Sequence, residues 1–179
     1  MRWGVAHESR PARTSKSPGR SGRRPSQKAI IASRMPPDRL HIPLDVWQTI
    51  LTHVTACLPE EACGFLGGEG GQVRLALPVE NSEHSPVRFR MNPEGQLRGM
   101  TRIEGEALTM VAIYHSHPQG PSGLSATDLA EAAYPESALL VVSPARGKWQ
   151  GRAFLIEDGS PRELEVLTGE TGVSEGGLQ

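Results

Sequence analysis

The sequence predicts a mixed α/β fold, and three observations carry that expectation. A helical-period apolar stripe opens the body of the chain, apolar runs of strand length follow it, and Gly- and Pro-rich stretches separate the runs. Helical and strand periods interleaved in one chain are what layered α/β architectures require.

The elements follow in order. Leu44, Trp47, Ile50, Leu51, Val54 and Leu58 recur at helical spacing, with Pro43 near the start and Pro59 just past the end. Residues 61–67 and 72–79 form an expected hairpin around Gly68-Glu69-Gly70-Gly71. A short strand is expected over 89–91. Leu97, Met100, Ile103 and Ala107 mark a second helix, weakened by Gly99 and Gly105. Val111-Ala112-Ile113-Tyr114 is an apolar, partly β-branched run that reads as a buried strand, and His115 and His117 continue it. Pro118, Gly120, Pro121 and Gly123 impose a loop, after which a helix begins at Ser125. Strands are expected over 138–143, 149–157 and 163–167. The apolar stripes are core, and no internal repeat is visible.

Charge is unevenly distributed. The first forty residues hold ten Lys/Arg against two acidic residues, and the remainder nine against eighteen. The formal −1 therefore conceals a tail near +8 and a body near −9. Ser, Pro, Arg and Gly dominate 1–39, so a disordered basic tail is expected there. It reads either as an arm for an acidic or nucleic-acid partner or as sequence upstream of a true start at Met35. No apolar core of a secretory signal and no membrane-spanning apolar run is present in the sequence. Residues 169–179, with Gly176-Gly177, read as a flexible end. Cys57 and Cys63 read as two free buried thiols, which points to a reducing cytoplasm.

The chemistry concentrates at His115-Ser116-His117, followed after seven intervening residues by Ser125 and three positions further on by Asp128. Side chains two apart in a strand share a face, so both imidazoles point the same way. A strand end, a loop and a helix start can converge on one point. Two His and one Asp suit Zn²⁺, and three protein ligands leave the fourth tetrahedral position to water, as in catalytic sites. Taken alone, Ser125 and Asp128 are also a loose capping box, and a lone His-x-His is often plain loop chemistry. Together, the four positions arise by chance on the order of once in a few thousand such chains. A general base is sought upstream in Pro59-Glu60-Glu61-Ala62-Cys63-Gly64, where Glu60 or Glu61 opens a Gly-punctuated strand. The plain alternative is a solvated acidic pair. Cys63 as a nucleophile is set aside: a neighbouring carboxylate discourages a thiolate, and both candidate imidazoles serve the metal.

Glu61-x-x-Gly64 followed by His115-x-His117, seven residues, Ser125 and Asp128 resembles the signature of the JAMM, or MPN-plus, metallopeptidases. Pro-Glu-Glu-Ala-Cys-Gly and Tyr-His-Ser-His-Pro look most like the small prokaryotic branch. The resemblance implies a single MPN-like (cytidine-deaminase-like) domain over 40–168, a mixed curved β-sheet flanked by helices. It implies Zn²⁺ on His115, His117 and Asp128, Glu61 as general acid/base, and Ser125 bonding the oxyanion or the metal water, with no other cofactor. It further implies cleavage after the C-terminal Gly-Gly of ubiquitin-like or sulfur-carrier proteins, with 81–90 bordering the groove for the tail. A non-catalytic scaffold of the same fold is the alternative, and a basic-tailed nucleic-acid binder a third reading; neither nucleic acid nor membrane is the expected partner. The carrier, the bond type (peptide or isopeptide) and the oligomeric state, for which a homodimer is one option, are left open.

Overall fold

The computed structural model describes residues 37–169, so the tails expected at 1–39 and 169–179 fall outside it apart from 37–39 and Gly169. The chain runs β1 (Arg39–Ile42), α1 (Leu44–Cys57), β2 (Cys63–Glu69), β3 (Gln72–Val79), α2 (Pro93–Gly105), β4 (Thr109–Ser116), α3 (Ala126–Ala130), β5 (Ala138–Ala145), β6 (Lys148–Glu157) and β7 (Ser160–Thr168). The seven strands form one mixed sheet in the order β1-β3-β2-β4-β5-β6-β7, curved so far that β1 closes it against β7. β1 lies parallel to both of its neighbours and β4 parallel to β5; the other pairs are antiparallel.

Each face of the sheet buries its own apolar layer. On one face, α1 sets Val46, Trp47, Ile50 and Val54 against Leu66, Ala112, Tyr114, Leu140 and Leu155. Each such side chain contributes roughly 1.5–3 kcal/mol on burial. Leu44 and Leu58, at the ends of the expected stripe, are instead exposed. On the other face, α2 and the segment around α3 cover Cys63, Phe65, Ile113 and Leu139. The alternation along β4 assigns Ala112 and Tyr114 to the first layer and Ile113 to the second. His115 therefore falls on the α2 and α3 side.

Three sequence expectations need correction. β1 was not expected, yet Leu40 and Ile42 are fully buried; four residues carry too little periodicity to announce a strand. The strand expected over 89–91 is a single bridge between Asn81 and Met91. α2 begins four residues before Leu97, because Pro93 fits the first helical turn and the Asn92 side chain accepts a hydrogen bond from the Gly95 N–H at 3.1 Å. Gly99 is useful inside that helix: a Cβ there would sit 2.7 Å from the Phe65 ring, so glycine lets α2 approach β2.

Candidate active site

β4 delivers the two histidines. Its paired neighbours β2 and β5 both reach His115, through Cys63 and Val141, and His117 just beyond the strand still donates its N–H to the Val142 carbonyl at 2.9 Å. Ser116, between them, faces away and ties the strand end to the segment before β2. Its N–H donates to the Ala62 carbonyl at 2.9 Å, and its Oγ accepts from the Ala62 N–H at 2.8 Å. The residue next to Ala62 is Glu61. Gly64 pairs with Tyr114, and a Cβ on it would lie 2.4 Å from the Leu77 carbonyl oxygen and 2.5 Å from the Tyr114 ring. The glycine of Glu-x-x-Gly is thus a packing requirement of the tyrosine that precedes His115. That ring is fully buried, its hydroxyl bonded to His53 Nδ1 at 2.9 Å.

Asp128 arrives through a very short helix. Ser125 is the N-cap of α3: its Oγ accepts from the Asp128 N–H at 3.1 Å, and Asp128 Oδ2 accepts from the Ser125 N–H at 2.6 Å. The capping-box and ligand readings of these residues therefore hold together. The box uses one edge of the carboxylate and aims it at the imidazoles. Asp128 Oδ1 lies 3.3 Å from His115 Nε2, and Oδ2 lies 3.4 Å from His117 Nε2. The two Nε2 atoms are 3.0 Å apart.

The donor set can hold a metal ion. One donor atom from each of His115, His117 and Asp128 lies within 4.8 Å of the others. His117 Nδ1 donates to the Pro121 carbonyl at 2.8 Å, which turns Nε2 towards His115 and Asp128, where the neutral ring offers it as a ligand atom. Two imidazole nitrogens and a carboxylate converging in a buried place form a ligand set of the zinc type. Glu61 Oε1 stands 3.9 Å from His117 Nε2. All five sequence-expected residues are thus gathered at one point, with Glu61 rather than Glu60 turned inward. Glu60 bonds His84 at the surface.

The electrostatics follow from burial and from these neighbours. Burial raises the Glu61 carboxyl to about 7, with His117 pulling it back and Asp128 adding to the rise. Burial also resists charging of Asp128, but its bonds to His115 and His117 prevail and hold it far below the carboxylate range. Burial lowers His115 in spite of Asp128. His117 is raised against the effect of burial by Asp128, the Pro121 carbonyl and Glu61. Cys63, opposite His115 across the strand pair, is pushed up to about 12 by burial, Cys57 and Glu61, so it is a poor nucleophile. Both cysteines are free, and Cys57 is only half-buried.

Two further residues shape the site; both fall in the 81–90 segment expected to border the groove, but the sequence assigns neither a contact with the site residues. Asn81 is buried and fully used: Nδ2 donates to the Glu61 and Arg88 carbonyls, each at 3.0 Å, while Oδ1 accepts from the N–H groups of Glu83 at 3.1 Å and Arg90 at 3.0 Å. With the Glu61 N–H donating to the Ser85 carbonyl at 2.8 Å, the loop after β3 holds both backbone groups of Glu61. Phe89 stacks on His115, with ring centroids 4.7 Å apart and planes 24° from parallel. His115 Nδ1 is buried without a hydrogen-bond partner, so packing holds this ring where a hydrogen bond holds His117. An Asn opening a Ser/Pro-rich loop is a visible Asx-turn signal; no sequence signal marks Phe89.

Comparison with known proteins identifies the family. Residues 43–156, more than half of the chain, match the family described as prokaryotic homologs of the JAB domain. A desampylase of Haloferax volcanii is 32% identical over 143 residues, covering 74% of this chain and 98% of that protein. A CysO-cysteine peptidase of Mycobacterium tuberculosis is 33% identical over 132 residues, covering 71% and 89%. The solution structure of a protein from Desulfitobacterium hafniense superposes with a TM-score of 0.66 at 31% identity, covering 74% of this chain and 94% of that one. Among the described residues, no helix is long and apolar enough to cross a membrane. With its matched span, its curved mixed sheet and its His-x-His and Ser-x-x-Asp set at one point, the chain belongs to the prokaryotic homologs of the JAB domain.

Proposed function

We propose that this chain is a zinc-dependent peptidase that cleaves after the C-terminal Gly-Gly of ubiquitin-like or sulfur-carrier proteins, by deconjugation or by trimming of the tail. The observation that carries the reading is the convergence of His115, His117 and Asp128 within 4.8 Å, with the Glu61 carboxyl 3.9 Å from one of the imidazoles. The relatives' names support it: one is a desampylase, another a CysO-cysteine peptidase.

In this reading His115, His117 and Asp128 hold the ion. Zinc so held would supply a water acidic enough to ionise near pH 7 and positive charge opposite a developing oxyanion. Glu61 takes the proton of the attacking water and returns it to the departing amine. The Ser125 Oγ accepts from the Asp128 N–H, so its own O–H is free to donate to the oxyanion. The loop over 81–90 borders the tail. The unpaired thiols suit a cytoplasmic setting.

The test is incubation of the zinc-loaded protein with carrier proteins bearing C-terminal extensions or lysine conjugates, with and without a chelator. Mass spectrometry is expected to place the cut after the second Gly, and chelation to abolish it. A cut insensitive to chelation, or carriers left intact by protein of verified zinc content, refutes the reading.

A further inference from the structure

The two imidazoles of the candidate site are supported unequally. His117 has a hydrogen-bond acceptor behind it, the Pro121 carbonyl, 2.8 Å from Nδ1. His115 has none: its Nδ1 is buried and finds no partner among the described residues. A metal-bound imidazole normally gives its second N–H to a carboxylate, a carbonyl or water, and that bond sets the orientation of the ring. At His115 the neighbour is Phe89 instead, stacked on the ring with centroids 4.7 Å apart and planes 24° from parallel. An aromatic face suits this place. An imidazole that gives Nε2 to a cation becomes electron-poor, and the face of a phenyl ring is its negative side.

The loop is built to present that ring. Asn81 fixes the backbone on both sides of Phe89: its Nδ2 donates to the Arg88 carbonyl and its Oδ1 accepts from the Arg90 N–H, each at 3.0 Å. From Pro86 to Arg90, Phe89 is the one residue that is not exposed. Its ring packs against the apolar layer that holds Met91, Ile113 and Leu139. The neighbouring Arg88 guanidinium bonds Glu131, the C-cap of α3, at 2.6 Å. That ion pair is exposed on both sides, and such pairs contribute little. The stacked ring is therefore the loop's principal hold on the donor set.

We infer that Phe89 is the positioning residue of His115: its ring stands in for the missing hydrogen bond and so sets how tightly the site holds its metal. The inference rests on the proposed function for the metal, and it gives the loop over 81–90 a second task besides bordering the tail. A leucine at position 89 keeps apolar bulk and loses the ring face. A tyrosine keeps the face.

The test compares the full parent chain with Phe89→Leu and Phe89→Tyr, each freed of metal and kept well below its melting temperature. Zn²⁺ affinity is read by competition with a chromophoric chelator, and ligand geometry by the visible absorption of bound Co²⁺. Phe89→Leu is expected to bind Zn²⁺ about 10–100-fold more weakly, the loss that follows when the group behind a metal-binding histidine is removed, and to shift the Co²⁺ bands. Phe89→Tyr is expected to match the parent in both. Should Phe89→Leu fail to fold, Phe89→Ile takes its place. An unchanged Zn²⁺ affinity in the aliphatic variant, or an equal loss in Phe89→Tyr, overturns the inference. None of these readings needs a substrate. If the aliphatic variant loses affinity as expected while no carrier is cut, the inference stands and the proposed substrate fails. If carriers are cut while the aliphatic variant holds Zn²⁺ as the parent does, the inference alone fails. A parent chain that binds neither metal defeats both.

Discussion

Replacing Asn81 by Ala removes four hydrogen bonds from one point. The bond to the Glu61 carbonyl is buried, where a lost donor costs about 1–3 kcal/mol; the three others are partly accessible, so water replaces the side chain and each costs roughly 0.5 kcal/mol. The expected loss is about 3 kcal/mol, which for a domain of this size lowers Tm by about 12 °C. The loop also positions Glu61, and a displacement near 1 Å costs on the order of 10²-fold in rate. The assay has two arms. Thermal unfolding of metal-free protein by circular dichroism reads the first effect. For the second, kcat is measured well below the variant's Tm, with zinc content checked in parallel. The variant should unfold early, keep its zinc and lose kcat. A Tm within 3 °C of the parent protein, or an undiminished kcat, refutes the argument that Asn81 fastens Glu61.

Three other outcomes are expected. Glu61→Gln should retain zinc, measured by elemental analysis, and lose 10²–10⁴-fold or more in kcat, since Gln accepts no proton at neutral pH; loss of metal in this variant would count against the base role. Iodoacetamide should leave turnover intact, because the buried Cys63 thiol is raised to about 12, while 1,10-phenanthroline should abolish it and added zinc restore it. Gly64→Ala should destabilise by about 1–3 kcal/mol, read from denaturant midpoints, because the new methyl meets a strand carbonyl and the Tyr114 ring, neither of which has room to withdraw; a neutral substitution would show that the ring moves freely.

The parts legible in the sequence are those whose signal is local. The α1 stripe, the hairpin of β2 and β3, and the His-x-His on a strand end followed by Ser-x-x-Asp at a helix start all lie within short windows, and apart from Leu44 and Leu58 at the ends of the stripe the structure puts their residues where period and spacing imply. β1 escaped because its four residues owe their place to β3 and β7, the latter more than a hundred positions away. The expected strand at 89–91 failed because the Asn81 side chain takes up backbone groups of Arg88 and Arg90, which competes with ladder pairing. The stacking of Phe89 on His115 joins two parts of the chain that share no pattern, so no periodicity reports it. The cap and ligand readings at Ser125 and Asp128 do not exclude each other, since a carboxylate has two oxygens and more than one bonding direction.

That short helix also has a bearing on how the molecule could diversify. Because Ser125 and Asp128 orient each other within four consecutive residues, and the Pro121 carbonyl already steadies His117, the Ser122–Gly123 junction sits between two self-contained anchors. Extra sequence spliced in at that junction can bulge outward without re-aiming either one, so the junction is a natural port at which evolution or an engineer could graft new recognition segments onto an unaltered reaction centre.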